Sequence, residues 1–144
     1  MIAVSGCVIG INCRYDGGSQ SREEVLERIK MEDYIVLCPE VDAGMSTPRS
    51  PSEIVGGDGY DVLEGKAKII SKEGEDVTDY FVRGAYMALD RCKEHGVTDV
   101  YLKENSPSCG SNCIYDGTHS GNIVKGIGVC AALLKKNGYN VIAV

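Results

Sequence analysis

Short apolar runs alternate with amphipathic segments along this chain. Four runs have the length and composition of buried strands, and they occupy residues 2–5, 34–37, 99–102 and 140–144. Between the first two runs, Val25, Leu26 and Ile29 fall on one face of a helical segment, and Ser21 is suited to its N-cap. Strand, helix and strand of this length predict a βαβ unit.

Two further helices are predicted from apolar residues at steps of three and four. One extends over 76–95 and ends at Gly96, and the other carries Ile127, Cys130, Ala131 and Leu134 on one face and ends before Gly138. The complete pattern predicts an α/β fold that is Rossmann-like, with about four parallel strands flanked by helices.

The segment 57–78 is rich in glycine and charge and contains the alternating stretch KAKIIS. It predicts a small Gly-rich β excursion, such as a hairpin, beside the main sheet. A long polar loop is predicted after the third strand. At 144 residues, the chain has the usual size of one domain, and we expect a single α/β domain over 1–144.

Charge and hydropathy narrow the range of partners. The formal net charge is -6, and no cluster of Lys or Arg would neutralise neighbouring phosphates, so nucleic acid is not expected as an obligate partner. The N-terminal residues do not resemble a signal peptide, and no apolar run has the length of a membrane span. We therefore expect a cytoplasmic protein with no membrane partner. The sequence carries no signal for an oligomeric state.

Seven cysteines cannot all pair in disulfides, so reduced thiols, a metal site or catalysis must account for them. Cys7, Cys38 and Cys109 each follow one of the first three predicted strands, in loops rich in Gly, Pro and Ser. Because the carboxyl ends of parallel strands share one edge, we expect these three thiols to converge there. Cys92 and Cys130 lie on apolar helix faces and are expected in the core.

Three soft thiolates suit either an iron-sulfur cluster or zinc, and the residues alone do not decide between them. Cys13 and Cys113 stand in the same loops, each shortly before a Tyr-Asp-Gly turn signal, and we interpret them as ordinary thiols near the site. Three alternatives stay open. These are a thiol redox protein that uses the same cysteines, a sulfur or metal carrier, and a phosphate site at the glycine-rich GNIVKGIG.

The cysteine loops resemble those of the thiouracil desulfurase family, formerly known as domain of unknown function 523. The matching segments are VSGCVIGINCRYDG, CPEVDAGMSTPRSPSEI, LKENSPSCG, IYDG and GVCAALLKKNG. The resemblance implies an α/β fold and a [4Fe-4S] cluster bound by Cys7, Cys38 and Cys109, with the fourth iron free to take sulfur from a substrate. It also implies an enzyme that desulfurates a small thiolated molecule such as 2-thiouracil, without net redox chemistry.

Such a reaction needs a proton carrier beside the cysteines. Glu40 is our choice for the catalytic acid or base, because Pro39 stiffens the loop between it and Cys38. Ser106 corresponds to the hydroxyl of the family pattern and is the second catalytic candidate; the alternative is a serine that caps its own loop. The candidates for substrate binding are Asp16, Arg49 and Ser108.

Overall fold

The computed structural model describes residues 1–7 and 23–144. In chain order the elements are β1 (Ile2–Ser5), α1 (Glu23–Ile29), β2 (Tyr34–Leu37), α2 (Pro39–Asp42), β3 (Ser52–Val55), α3 (Gly59–Leu63), β4 (Lys68–Ser71), α4 (Thr78–His95), β5 (Asp99–Leu102), β6 (Cys113–Tyr115), β7 (Ile123–Lys125), α5 (Val129–Lys136) and β8 (Asn140–Ala143). Among the described residues, no helix is both long enough and apolar enough to span a membrane.

The central sheet confirms the predicted fold. Its four strands are all parallel and lie in the order β2-β1-β5-β8. The register places Ser5 of β1 beside Leu37 of β2. From β1 the chain first adds β2 on one side and later adds β5 and β8 on the other side. The strand order therefore reverses between β1 and β5, and in open parallel sheets the crevice for ligands lies at such a point.

Helices cover both faces of this sheet. On one face Ile2 and Val4 pack with Val25 of α1 in a small apolar cluster. On the other face Ala3 belongs to the large core, which also includes buried residues of α4 and α5 such as Phe81 and Leu134. Successive side chains of β1 therefore pack into two different cores, one on each face of the sheet.

Cys92 and Cys130 are fully buried in the large core, as predicted from the apolar faces of their helices. Burial raises the pKa of the Cys92 thiol to about 11, so this thiol stays protonated at neutral pH.

Helix α4 fixes the position of α2, the single turn that follows Cys38. A Cβ added at Gly84 would lie 2.2 Å from the carbonyl oxygen of Pro39, so only glycine permits this approach of the two backbones. Beside it, the Arg83 guanidinium donates to the carbonyl oxygen of Ala43 at 2.7 Å. The long helix therefore holds the segment that begins at Cys38.

The excursion contains more structure than the sequence predicts. Strands β3 and β4 pair as antiparallel neighbours, as expected for a hairpin, but α3 lies between them. Asp58 caps α3 with its side chain and completes a capping box with Asp61. The prediction of a polar loop after β5 was wrong in part, because that segment includes the antiparallel pair β6 and β7.

Candidate functional site

A cavity of about 330 Å³ lies at the carboxyl edge of the central sheet. Its lining includes Cys7, Cys38 and Cys109, which follow β1, β2 and β5. Its volume lies at the lower end of the range of roughly 300–1,000 Å³ that is usual for small-molecule sites. The structure therefore brings together the three cysteines that the strand ends indicate.

The described part of the chain contains no group of three His, Cys, Asp or Glu side chains arranged to hold a single metal ion. Three cysteines nevertheless line the same cavity, and soft thiolates of this kind suit either an iron-sulfur cluster or zinc.

The loop that carries Cys109 is fixed by local hydrogen bonds. The Ser106 hydroxyl oxygen accepts from the backbone N–H groups of Ser108 at 3.0 Å and Cys109 at 3.1 Å. This is the loop-capping contact that such a serine commonly makes. Because Ser106 also lines the cavity, its own proton stays available for donation there.

Helix α5 supports the same loop from behind. The N–H groups of Val129 and Cys130 donate to the carbonyl oxygens of Pro107 and Ser108, each at 2.8 Å. A Cβ at Gly128 would lie 2.5 Å from the Ser108 carbonyl oxygen. These contacts occupy N–H groups at the start of α5 that a phosphate at GNIVKGIG would require, and they count against that alternative.

Cys109 is 7% exposed, and burial raises the pKa of its thiol well above the usual range. The neighbouring thiols of Cys130 and Cys7 act in the same direction. The thiol lies 3.7 Å from the Ser108 hydroxyl oxygen, a contact that acts in the opposite direction. Ser108 is itself buried and lines the cavity.

Glu40 lines the cavity from the first turn of α2. Its side chain is 20% exposed, and its Oε2 accepts from Nη2 of Arg49 at 2.5 Å. Burial raises the pKa of the Glu40 carboxyl, and Arg49 opposes that shift through its charge and its hydrogen bond. Glu40 therefore differs from a solvated surface glutamate.

Arg49 stands behind Glu40 and is not among the residues that line the cavity. Its guanidinium also donates to the Ser46 carbonyl oxygen and to the Thr47 hydroxyl, each at 3.0 Å. In this arrangement Arg49 orients the Glu40 carboxylate and anchors its own loop.

Glu104 organises the loop between β5 and β6, and sequence reasoning missed it. Its Oε1 accepts from the N–H groups of Ser111 at 2.8 Å, Asn112 at 3.0 Å and Cys113 at 3.1 Å. Burial alone would raise the pKa of the Glu104 carboxyl, but the backbone donors outweigh it and hold that pKa below the usual range. The Glu104 carboxylate thus fixes the backbone of residues 111–113, which follow Cys109 in the chain.

Replacing Glu104 with alanine is expected to destabilise the protein by about 1–3 kcal/mol, because backbone donors lose their acceptor. Chemical denaturation at pH 7 measures the loss, and Glu94→Ala on the exposed face of α4 is the matched control. A carboxyl with a depressed folded pKa contributes stability that is complete above its unfolded pKa of about 4.3 and is lost as the pH falls through the folded value. The difference between parent and Glu104→Ala should therefore shrink in acid. Equal effects of the two substitutions would contradict this role.

The lining of the cavity contains a second pair that the sequence did not indicate, Glu53 and His119. Glu53 Oε1 accepts from the N–H groups of Gly117 at 2.9 Å and His119 at 3.2 Å, while Oε2 lies 3.5 Å from Nδ1 of His119. The other ring nitrogen of His119 lies 3.1 Å from the Ile70 carbonyl oxygen. These contacts join the β3–β4 hairpin to the loop that precedes β7.

The other residues of the cysteine loops to be placed are Cys13, Asp16, Cys113 and Asp116, the aspartate of the second Tyr-Asp-Gly. Asp116 serves the turn that its Tyr-Asp-Gly signal predicts, since its Oδ1 accepts from the N–H of Thr118 at 2.9 Å. Cys113 lies on β6 and is not among the residues that line the cavity. Cys13 and Asp16 lie outside the described residues.

Comparison with known proteins gives consistent matches over nearly the whole chain. The family model for 2-thiouracil desulfurase matches residues 2–144. Uncharacterized protein YbbK of Bacillus subtilis (strain 168) is 50% identical over 143 residues, which span 99% of this chain and 95% of that protein.

A solved structure gives the same result at the level of the fold. The [4Fe-4S]-dependent thiouracil desulfidase TudS is 37% identical and superposes with a TM-score of 0.86, over 99% of this chain and 89% of its own. The match includes the strands that position the cysteines at one edge. From its sequence and its fold, this chain belongs to the 2-thiouracil desulfurase family.

Proposed function

We propose that this chain is an iron-sulfur-dependent desulfidase, which hydrolyses the carbon-sulfur bond of a small thiolated molecule such as 2-thiouracil and releases sulfide. Its [4Fe-4S] cluster is bound by Cys7, Cys38 and Cys109. The observation that carries the proposal is the presence of these three cysteines in one cavity, in a chain that matches the family over residues 2–144. The solved relative TudS is described as [4Fe-4S]-dependent.

The residues of the cavity fit this cofactor. Three thiols are the soft donors that iron-sulfur clusters take, and His119, which also lines the cavity, is engaged by Glu53 and the Ile70 carbonyl oxygen. Burial favours the neutral thiol of Cys109. An iron bound to the sulfur would take the place of the thiol proton and compensate the charge of the buried thiolate. When bound, a cluster with three protein ligands supplies an iron that acts as a Lewis acid toward a soft thiocarbonyl sulfur.

Glu40 carries the proton in this proposal. Water attacks the carbon that bears sulfur, a carbon-oxygen bond replaces the carbon-sulfur bond, and both water protons end on the products, so the reaction needs no oxidant or reductant. Arg49 engages Oε2 of Glu40, which leaves Oε1 to accept the proton of the attacking water and return it to the departing sulfur. The Glu40 side chain is only 20% exposed, so little bulk water reaches the carboxylate to compete for its hydrogen bonds.

The serines of the Cys109 loop orient the substrate. The Ser106 oxygen accepts two backbone N–H groups, which leaves its own proton for a substrate acceptor in the cavity that Ser106 lines. Ser108 lies in the same wall, buried beside Cys109. The Ser106 hydroxyl therefore suits the carbonyl oxygen of a thiolated pyrimidine such as 2-thiouracil, to which it can donate, and a serine hydroxyl such as that of Ser108 can also accept from a ring N–H of this substrate. Such thiol and cluster chemistry requires a reducing compartment, and we place the protein in the cytoplasm.

Anaerobic reconstitution with iron and sulfide tests the proposal. We expect brown protein with about four iron atoms and about four acid-labile sulfides per chain, and release of sulfide from 2-thiouracil with formation of uracil. Metal analysis and a colorimetric sulfide assay measure both results. Protein that takes up only zinc, or that holds a cluster and leaves 2-thiouracil intact, would count against the function.

A further inference from the structure

Ser5 is a buried side chain of the cavity for which the proposed reaction has no use. It ends β1, two residues before Cys7, and is 2% exposed. Its hydroxyl oxygen is buried and has no hydrogen-bond partner among the described residues. Leaving a buried hydroxyl without a partner is unfavourable, so a cavity that retains one indicates a ligand that satisfies it.

The strand directs Ser5 toward the cysteines. Side chains alternate along β1, so Ser5 shares a face with Ala3, which belongs to the large core. Cys109 belongs to the same core cluster. Ser5 also lines the cavity together with Cys7 and Cys38. Ser5 thus lies at the sheet end of the cavity that the three cysteines also line, with its side chain on the face of the large core.

We propose that the Ser5 hydroxyl donates a hydrogen bond to a sulfur of the bound cluster, either a sulfide or a coordinating thiolate, and that Ser5 is a positioning residue for the cofactor. This inference rests on the proposed function. A hydrogen bond to sulfur withdraws electron density from the cluster, which raises its reduction potential and strengthens the iron as a Lewis acid. The same bond retains the cluster in its cavity.

The test compares Ser5→Ala with the parent after anaerobic reconstitution. We expect a more negative reduction potential in a titration followed by electron paramagnetic resonance, and release of iron to a ferrous chelator that is faster by roughly two- to tenfold, the scale of one net hydrogen bond. Ser5→Thr keeps the hydroxyl and should restore both values toward those of the parent.

Ser111 supplies a matched control, since its hydroxyl is also buried without a partner among the described residues but does not line the cavity. Ser111→Ala should leave the potential and the rate of iron release unchanged. Thermal unfolding of the cofactor-free proteins distinguishes a role of Ser5 in the cofactor site from a role in the fold. If the hydroxyl is unsatisfied without the cofactor, cofactor-free Ser5→Ala should be at least as stable as the parent.

The outcomes distinguish the two proposals. Iron-loaded Ser5→Ala with the parental potential and the parental rate of iron release overturns the role of Ser5 and leaves the proposed function intact. A marked loss of stability in cofactor-free Ser5→Ala also overturns it, since the hydroxyl would then serve the fold. A parent protein that takes up no iron overturns the proposed function together with this inference.

Discussion

Replacing Cys109 with serine is expected to abolish the brown colour and the release of sulfide together. Serine has nearly the shape of cysteine, but its hydroxyl is a hard and weakly acidic ligand for iron. Because Cys109 is buried in a loop fixed by Ser106 and by α5, no other side chain of that loop takes its position easily. We expect iron below about one-tenth of the parental content after identical reconstitution.

Cys113→Ser is the control for this experiment, because Cys113 is a half-buried thiol outside the cavity on β6. It should retain iron and activity. Thermal unfolding of the cofactor-free variants shows whether either substitution disturbs the fold. Cys109→Ser with the full iron content would show that Cys109 is not a ligand, and Cys13 or Cys113 would then have to be tested in its place.

Replacing Glu40 with glutamine should leave the colour intact and lower the rate of sulfide release by roughly a hundredfold or more, the usual scale for loss of a general acid or base. Glutamine keeps the size of glutamate, and its oxygen can still accept from Arg49, so the loop should keep its position. The three cysteines are unchanged. Iron content and single-turnover sulfide release from 2-thiouracil measure the two effects separately.

Glu64→Gln, at an exposed carboxylate that follows α3, controls for the change of charge. It should have the parental rate. A Glu40→Gln protein that releases sulfide as fast as the parent would show that Glu40 only supports the loop of Arg49. The proton would then have to be carried by another group, such as Asp16 or a water held by Ser106.

The central sheet was predictable because its strands are short apolar runs and its helices carry continuous apolar stripes. Both signals are local in sequence, so 34–37 and 99–102 were assigned to strands with the bounds that the structure gives to β2 and β5. The convergence of Cys7, Cys38 and Cys109 followed from the parallel arrangement, since each cysteine comes after a strand.

The strands and contacts that the sequence did not predict depend on residues that are distant in the chain. Strands β6 and β7 have only three residues each, fewer than any strand of the central sheet, and β3 begins with the two polar residues Ser52 and Glu53 and so is not a continuous apolar run. Glu53 accepts from the Gly117 N–H only in the folded chain, where β3 lies beside that loop, and no local sequence pattern predicts this contact. Glu104 likewise looks like an ordinary polar residue until the chain folds back onto it.

The backbone contact at Gly84 has a consequence for recognising related proteins. Cysteines in loops occur by chance in many chains, whereas a glycine in the middle of a long helix is uncommon because it weakens that helix. Here the glycine is required by the Pro39 carbonyl, as Gly128 is by that of Ser108. A chain with three suitably spaced cysteines but a larger residue at either position would have to move the loop that carries Cys38 or the loop that carries Cys109. These two glycines can therefore serve as diagnostic positions that separate homologous sites from coincidental cysteine patterns.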